Sequence, residues 1–224
     1  MERPGATPRY CDQVTIDEAL ARLVPLPDPL PPAPPELMPV PAGGEPWPPL
    51  GTGEPEARPA AVLVLLVPDE ARAARVVLIE RPAYEGHHSG EVSFPGGKAE
   101  PGDADLVATA LREATEEIGL DAAEAGVEVL GMLDPVWVAV SGFRITPIVA
   151  VARRRPRLVP DAGEVVRIVE APVRLFLPGA PIVIVERAVR GWPLRYGVYP
   201  VDGLEVWGAT ARILGQLGAL LGRS

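Results

Sequence analysis

The run from Gly96 to Leu120, GGKAEPGDADLVATALREATEEIGL, constrains this chain more than any other stretch. A glycine pair opens it, an acidic turn follows, and a helix carrying Arg112, Glu113, Glu116 and Glu117 is expected next. At 3.6 residues per turn, Val107, Leu111, Ala114 and Ile118 fall on one side, as the buried stripe of an amphipathic helix. Glu113, Glu116 and Glu117 share the other side, spaced i, i+3 and i+4. Three carboxylates within one turn repel unless a cation sits among them, and hard divalent ions such as Mg²⁺ take oxygen ligands of this kind. Gly119 is placed to stop the helix. Taken alone, the same E-x-x-E-E run also suits a solvated face, with Arg112 and Glu116 as an ordinary i, i+4 pair.

The flanking residues favour the metal reading. The stretch resembles the Nudix box, G-x5-E-x7-R-E-U-x-E-E-x-G-U, with U an aliphatic residue. Gly97 stands at the first glycine, Arg112 and Glu113 at R-E, Glu116 and Glu117 at E-E, and Gly119 and Leu120 at G-U. The first acid is Asp103 rather than Glu, and eight residues rather than seven separate it from Arg112. That longer spacing also occurs in the branch of the family resembling coenzyme A diphosphatases. Upstream, that branch carries a signature similar to L-L-T-x-R-S-x3-R-x3-G-x3-F-P-G-G. Arg81, Gly90 and Phe94 to Gly97 match it, whereas Pro82 and Gly86 stand where it has serine and its second arginine. Likeness continues through SGFRITP, Glu164-Val165 and EVWGATARIL, covering about Ala60 to Leu221.

The resemblance implies an α/β/α sandwich with a mixed β-sheet and hydrolysis of a diphosphate linked at both ends, with Mg²⁺, or Mn²⁺ in its place, as cofactor. Coenzyme A, cut to 3′,5′-ADP and 4′-phosphopantetheine, is the expected substrate. ADP-ribose or another nucleoside diphosphate derivative is the alternative, and a nucleotide-binding module without catalysis is a third. Glu113, Glu116, Glu117 and the Gly96 carbonyl are the expected metal ligands, and Arg112 is expected to orient the glutamates rather than touch substrate. Glu164 matches a family glutamate and is the candidate general base; it equally suits an exposed strand. Arg81 and Gly97 are the candidate substrate-binding residues, Arg81 as a phosphate clamp, against the alternative of a surface ion pair with Glu80 or Glu85. His88 sits where the signature often has histidine, and His87 beside it is incidental.

Composition bounds the rest. A length of 224 residues allows one good core, and a net charge of −9 argues against nucleic-acid or membrane-surface binding, which wants a basic face. Cys11 is the only cysteine, which excludes an intrachain disulfide and fits a reducing cytosol. Two histidines and one cysteine are too few for a His₃ or thiolate-rich zinc site. No signal pattern opens the chain, and the apolar run AAVLVLLV is too short to span a bilayer. A small-molecule diphosphate is the expected partner; the assembly state is left open, with a homodimer allowed.

Two regions follow. Residues 1–59 read as an extension: a helix from Thr15 to Val24, capped by Thr15 with Glu18, then a proline-rich linker from Pro25, either a spacer or a strap lying over the domain. Residues 60–224 read as the hydrolase domain, with strands at AAVLVLLV, ARVVLIE, VEVLGML and FRITPIVAVA. Pro95-Gly96-Gly97 reads as a tight turn and EVVRIVEAPV as a strand. A late hairpin turns at Gly191, and a C-terminal helix faces Ile213, Leu214, Leu217, Leu220 and Leu221 inward.

Overall fold

The computed structural model describes residues 13–43, 57–82, 91–138, 141–189 and 191–223. Two long apolar runs build its centre: β2 (Arg58–Pro68), following a short β1 (Val40–Pro41), and β3 (Ala74–Glu80). Then come β4 (Val92–Ser93), β5 (Gly96–Lys98), helix α2 (Leu106–Ile118), β6 (Val127–Met132), β7 (Val136–Val138) and β8 (Phe143–Ala152). The remainder is β9 (Arg167–Pro172), β10 (Val183–Val189), β11 (Trp192–Val201), β12 (Leu204–Val206) and the closing helix α4 (Gly208–Leu221). Helix α1 (Ile16–Leu23) precedes them all, and α3 (Ala122–Ala125) is a single turn.

The main sheet is mixed. β2 runs parallel to β8 and antiparallel to β3 and β5, while β9 pairs antiparallel with β3 and β6 with β8. Because strand side chains alternate, β2 divides its residues between two cores. Ala61, Leu63, Leu65 and Val67 face α2, packing on Ala110, Ala114 and Ile118. Val64 and Leu66 face the other way, toward α1 and α4. A sheet between helical layers is the α/β/α sandwich expected. α4 presents the five residues expected inward and buries Ala211 and Gln216 as well. β10 and β11 form the late hairpin, with Gly191 at φ +81°.

Two expectations need correction. The glycine pair is not a turn: Gly96 and Gly97 lie in β5, paired with Val62 and Ala61 of β2. Bare of Cβ, Gly96 (φ +151°) lets this strand close on β2, since an added Cβ would stand 2.4 Å from the Ala61 carbonyl oxygen. Next, β9 starts at Arg167, so Glu164 lies in the turn before it rather than in a strand.

The proline-rich segment is laid on the domain as a strap and not held away from it as a spacer. Its described part, through Gly43, lies on the sheet's α4 face. The capping box of Thr15 and Glu18 does form, and α1 then buries Ile16, Ala19 and Leu23. Proline prevents helix, but it does not prevent burial of the leucines between. Leu37 is fully buried in the same core as α4, and Leu26 and Leu30 pack at its margin. Gln216 of α4 donates to the Pro31 carbonyl at 3.0 Å and Arg22 donates to the Leu221 carbonyl at 2.6 Å. An added Cβ on Gly215 would stand 2.6 Å from Leu37 Cδ1, so α4 is notched to receive the strap.

Candidate metal and phosphate site

The site lies where β5 meets α2. Asp105 caps the helix by accepting from the Ala108 N–H at 2.8 Å, and Gly119 closes it in the left-handed conformation. Asp is among the residue types preferred at an N-cap, so this cap is legible in the sequence. Between cap and close, the three glutamates occupy three different environments. Glu116 is 58% exposed, Glu113 is 14% exposed, and Glu117 is 1% exposed. The expectation of one polar face therefore fails at Glu117, which turns under β5 into the protein. Of the expected stripe, Ala114 and Ile118 are buried, while Val107 and Leu111 are only partly covered.

Arg112 ties the pieces together. Its Nε and Nη2 fork onto Asp103 at 2.9 and 3.1 Å, and Nη2 also donates to the Lys98 carbonyl at 3.2 Å. Its Nη1 bonds Glu113 at 3.1 Å and Glu116 at 3.0 Å. A planar guanidinium suits this task, since one fork fixes its plane and the free edge serves the glutamates. Asp103 also accepts from the Thr109 hydroxyl and the Glu100 amide. These bonds, Arg112 first, hold its carboxyl well below the usual carboxylate range, and the pairing with Asp103 raises the Arg112 pKa in turn.

Arg81 forms no ion pair with Glu80, which is engaged by Arg167; Glu85 lies outside the described residues. Instead Arg81 turns inward. Its Nη2 donates to Glu117 Oε1 at 2.7 Å and to the Gly96 carbonyl at 3.2 Å, and its Nε to Ser93 Oγ at 3.1 Å. Glu117 Oε2 accepts from the Gly96 N–H at 2.8 Å, so one carboxylate grips both β5 and Arg81. Ser93 is a site neighbour that the motif does not name, brought to Arg81 from twelve residues on by the pairing of β4 with β3. Gly97 packs directly on Glu113, because an added Cβ would sit 2.4 Å from Glu113 Oε1. His87, His88, Gly86 and Gly90 lie outside the described residues.

Glu164 comes to the same place by a different route. The Asp161 amide donates to the Glu117 carbonyl at 2.9 Å, and the Glu164 amide to the Asp161 carbonyl at 3.2 Å. That stitching lays an exposed turn against the end of α2. Burial raises the pKa of Glu113 and of Glu117, opposed by Arg112 at the first and Arg81 at the second. The charge of Glu164 pushes both upward as well.

Among the described residues no three acidic side chains converge as a ready-made ion cage. Each of the three glutamates is engaged by an arginine. The donor set nevertheless suits a hard divalent cation: carboxylate oxygens beside a backbone carbonyl, with mutual repulsion that positive charge relieves. No helix among the described residues is long and apolar enough to cross a membrane.

Comparison with known proteins agrees with this geometry. A family model described as the NUDIX domain matches residues 57–168, half of the chain. "Nudix hydrolase 15, mitochondrial" of Arabidopsis thaliana is 37% identical over 161 residues, covering 69% of this chain and 55% of that protein. The chain thus spans little more than half the length of that relative. "Uncharacterized Nudix hydrolase NudL" of Citrobacter koseri is 35% identical over 167 residues, 74% of this chain and 83% of the relative. A solved Nudix hydrolase from M. smegmatis, RenU, overlays with a TM-score of 0.44 at 25% identity, over 53% of this chain and 73% of its own.

Proposed function

We propose that this chain, which belongs to the Nudix hydrolase family, hydrolyses the diphosphate of a nucleoside diphosphate-linked substrate, coenzyme A first among them. The observation that carries the hydrolytic reading is the pinned helix: Arg112, anchored on Asp103, holds Glu113 and Glu116 beside β5, with Glu117 buried under it. Glu113, Glu116, Glu117 and the Gly96 carbonyl would hold Mg²⁺ or Mn²⁺. Such an ion supplies charge neutralisation at the diphosphate and a bound water of lowered pKa. Arg112 fixes the glutamates and does not touch substrate. Glu164, exposed and beside Glu113 and Glu117, is the proposed general base. Arg81 is the proposed phosphate clamp, and Gly97, bare so that the Glu113 carboxylate can close on β5, is the proposed substrate-binding backbone position. A reducing cytosol remains the proposed compartment, on the strength of the single Cys11.

The match at Arg81, Gly90 and Phe94 to Gly97 supports coenzyme A, as does the resemblance of EVWGATARIL. Gly86, in place of a second arginine, favours ADP-ribose or a related substrate. One lost arginine–phosphate contact costs about 1.5–3 kcal/mol, roughly ten- to a hundredfold in binding. Cleavage of coenzyme A with a high KM is therefore expected. The test is a panel with Mg²⁺ and coenzyme A, dephospho-coenzyme A, ADP-ribose, NADH and diadenosine polyphosphates, products identified by mass. Release of 3′,5′-ADP and 4′-phosphopantetheine supports the reading; rapid hydrolysis of ADP-ribose with coenzyme A intact replaces it with the second.

A further inference from the structure

We propose that Arg81 is a built-in cationic competitor for the metal site: its guanidinium holds Glu117 and the Gly96 carbonyl, and a divalent ion displaces it on binding. The inference rests on the ligand set proposed above. A single nitrogen, Arg81 Nη2, touches two of those four ligands, Glu117 Oε1 at 2.7 Å and Gly96 O at 3.2 Å. An ion at an ordinary ligand distance of about 2.1 Å from both oxygens would stand beside that nitrogen. Cations that close repel strongly, even in a partly screened site.

One bond must yield, and the structure shows which. Glu117 Oε2 is held by the Gly96 N–H, and breaking that bond would pull β5 away from the helix. The Arg81 side chain, by contrast, lies just beyond β3 and is 23% exposed, with water available to receive it. Arg112 also bonds glutamates, yet its fork on Asp103 anchors it clear of that choice. Among the described residues, the remaining side-chain contact of Arg81 is its bond to Ser93. Once displaced, its guanidinium is free for an oxygen of the diphosphate, the clamp role proposed above, so metal loading precedes and prepares substrate binding.

The test is Mn²⁺ titration of the full chain without any diphosphate, free Mn²⁺ being read by electron paramagnetic resonance. Arg81→Gln is expected to bind Mn²⁺ about tenfold more tightly, the scale of one charge-assisted hydrogen bond. Ser93→Ala, which only loosens the arginine, is expected to shift affinity the same way by about twofold. Arg81→Gln should also melt below wild type without Mn²⁺, since buried Glu117 loses its counter-ion, and gain more from saturating Mn²⁺. Weaker or unchanged Mn²⁺ binding in a cooperatively melting Arg81→Gln overturns the proposal, because the arginine then supports the ion or ignores it. Should that variant not fold, unchanged affinity in Ser93→Ala overturns it instead. Glu117→Gln separates this proposal from the reading beneath it. Wild-type Mn²⁺ affinity there removes Glu117 from the ligand set and with it the site assignment. Weakened binding there, with no tightening in Arg81→Gln, removes the competitor alone.

Discussion

Glu116 and Glu117 are neighbours in sequence and occupy different media. Glu116 projects into solvent with one bond to Arg112, and such an i, i+4 pair is worth about 0.3–0.5 kcal/mol. Glu117 is enclosed, with an N–H on one oxygen and a guanidinium on the other. Glutamine there can accept only one of those donors and turns its own NH₂ toward the second. Glu117→Gln should therefore cost about 1–3 kcal/mol of stability, while Glu116→Gln is nearly neutral. Both should lose about 10²-fold or more in kcat with Mg²⁺. Denaturant unfolding checks the first statement; equal midpoints for the two variants would refute it. Asp103 gives a pH-dependent counterpart. Its folded pKa lies below the ordinary 3.8, so the stability it brings is present above that value and lost as pH falls through and below it. Wild type should thus melt above Asp103→Asn at pH 7, with the gap closing below about pH 4. A gap independent of pH would show that ionic pairing with Arg112 is not its source. The raised pKa values of Glu113 and Glu117 act in the opposite sense, their contribution falling as pH rises through the folded values.

At the scale of elements, the two glycines of β5 do separable work. Gly96→Ala would drive a Cβ to within 2.4 Å of backbone at Ala61 and 2.6 Å at Val62, on a residue at φ +151°. Neither neighbour can move without unpairing β5 from β2, and unfolding or aggregation is expected. In Gly97→Ala the clash is with the Glu113 carboxylate, the far end of a flexible side chain. That variant should stay folded, with a melting temperature within a few degrees of wild type, and lose most of its activity. A folded Gly96→Ala or a fully active Gly97→Ala would each contradict this division. The same strand marks the limit of what could be read beforehand. Periodicity located β2, β3, β8, α2 and α4, because each is long enough for its apolar face to repeat. It missed β5, since glycine has no side chain to alternate and a Pro-Gly-Gly run reads as a turn. The motif brought Arg112 and the glutamates together, being local along one helix. It could not foresee Arg81 turning inward to Glu117, a meeting across 36 residues made by sheet pairing. Nor could residue type tell that Glu117 is buried while Glu116 is not.

For the whole molecule, the question is where the folded unit begins. Composition divides the chain at residue 59, and on that division removal of residues 1–54 leaves the fold intact. The packing argues otherwise. Val14, Ile16, Ala19, Leu23 and Leu37 all sit in the core cluster that α4 shares with β2 and β3. Each fully buried leucine is worth about 1.5–3 kcal/mol, against a total stability of roughly 5–15 kcal/mol for a domain. Stripping these five residues also bares the face of α4 that the strap covers, on a helix that is largely buried. It further frees Gln216, whose buried amide bonds Pro31 and Asp134. We therefore expect the chain lacking residues 1–54 to be insoluble or to melt without a cooperative transition. Leu37→Ala grades the effect without removing the strap. A loss of about 2–5 kcal/mol is expected for it, some 4–20 °C in melting temperature for a domain of this size. Metal-site variants such as Glu116→Gln should leave that melting temperature where it was, because the strap packs on the opposite face of the sheet from α2. A truncated chain with wild-type melting and Mn²⁺ binding would return the domain boundary to residue 59 and reduce the strap to a passive covering.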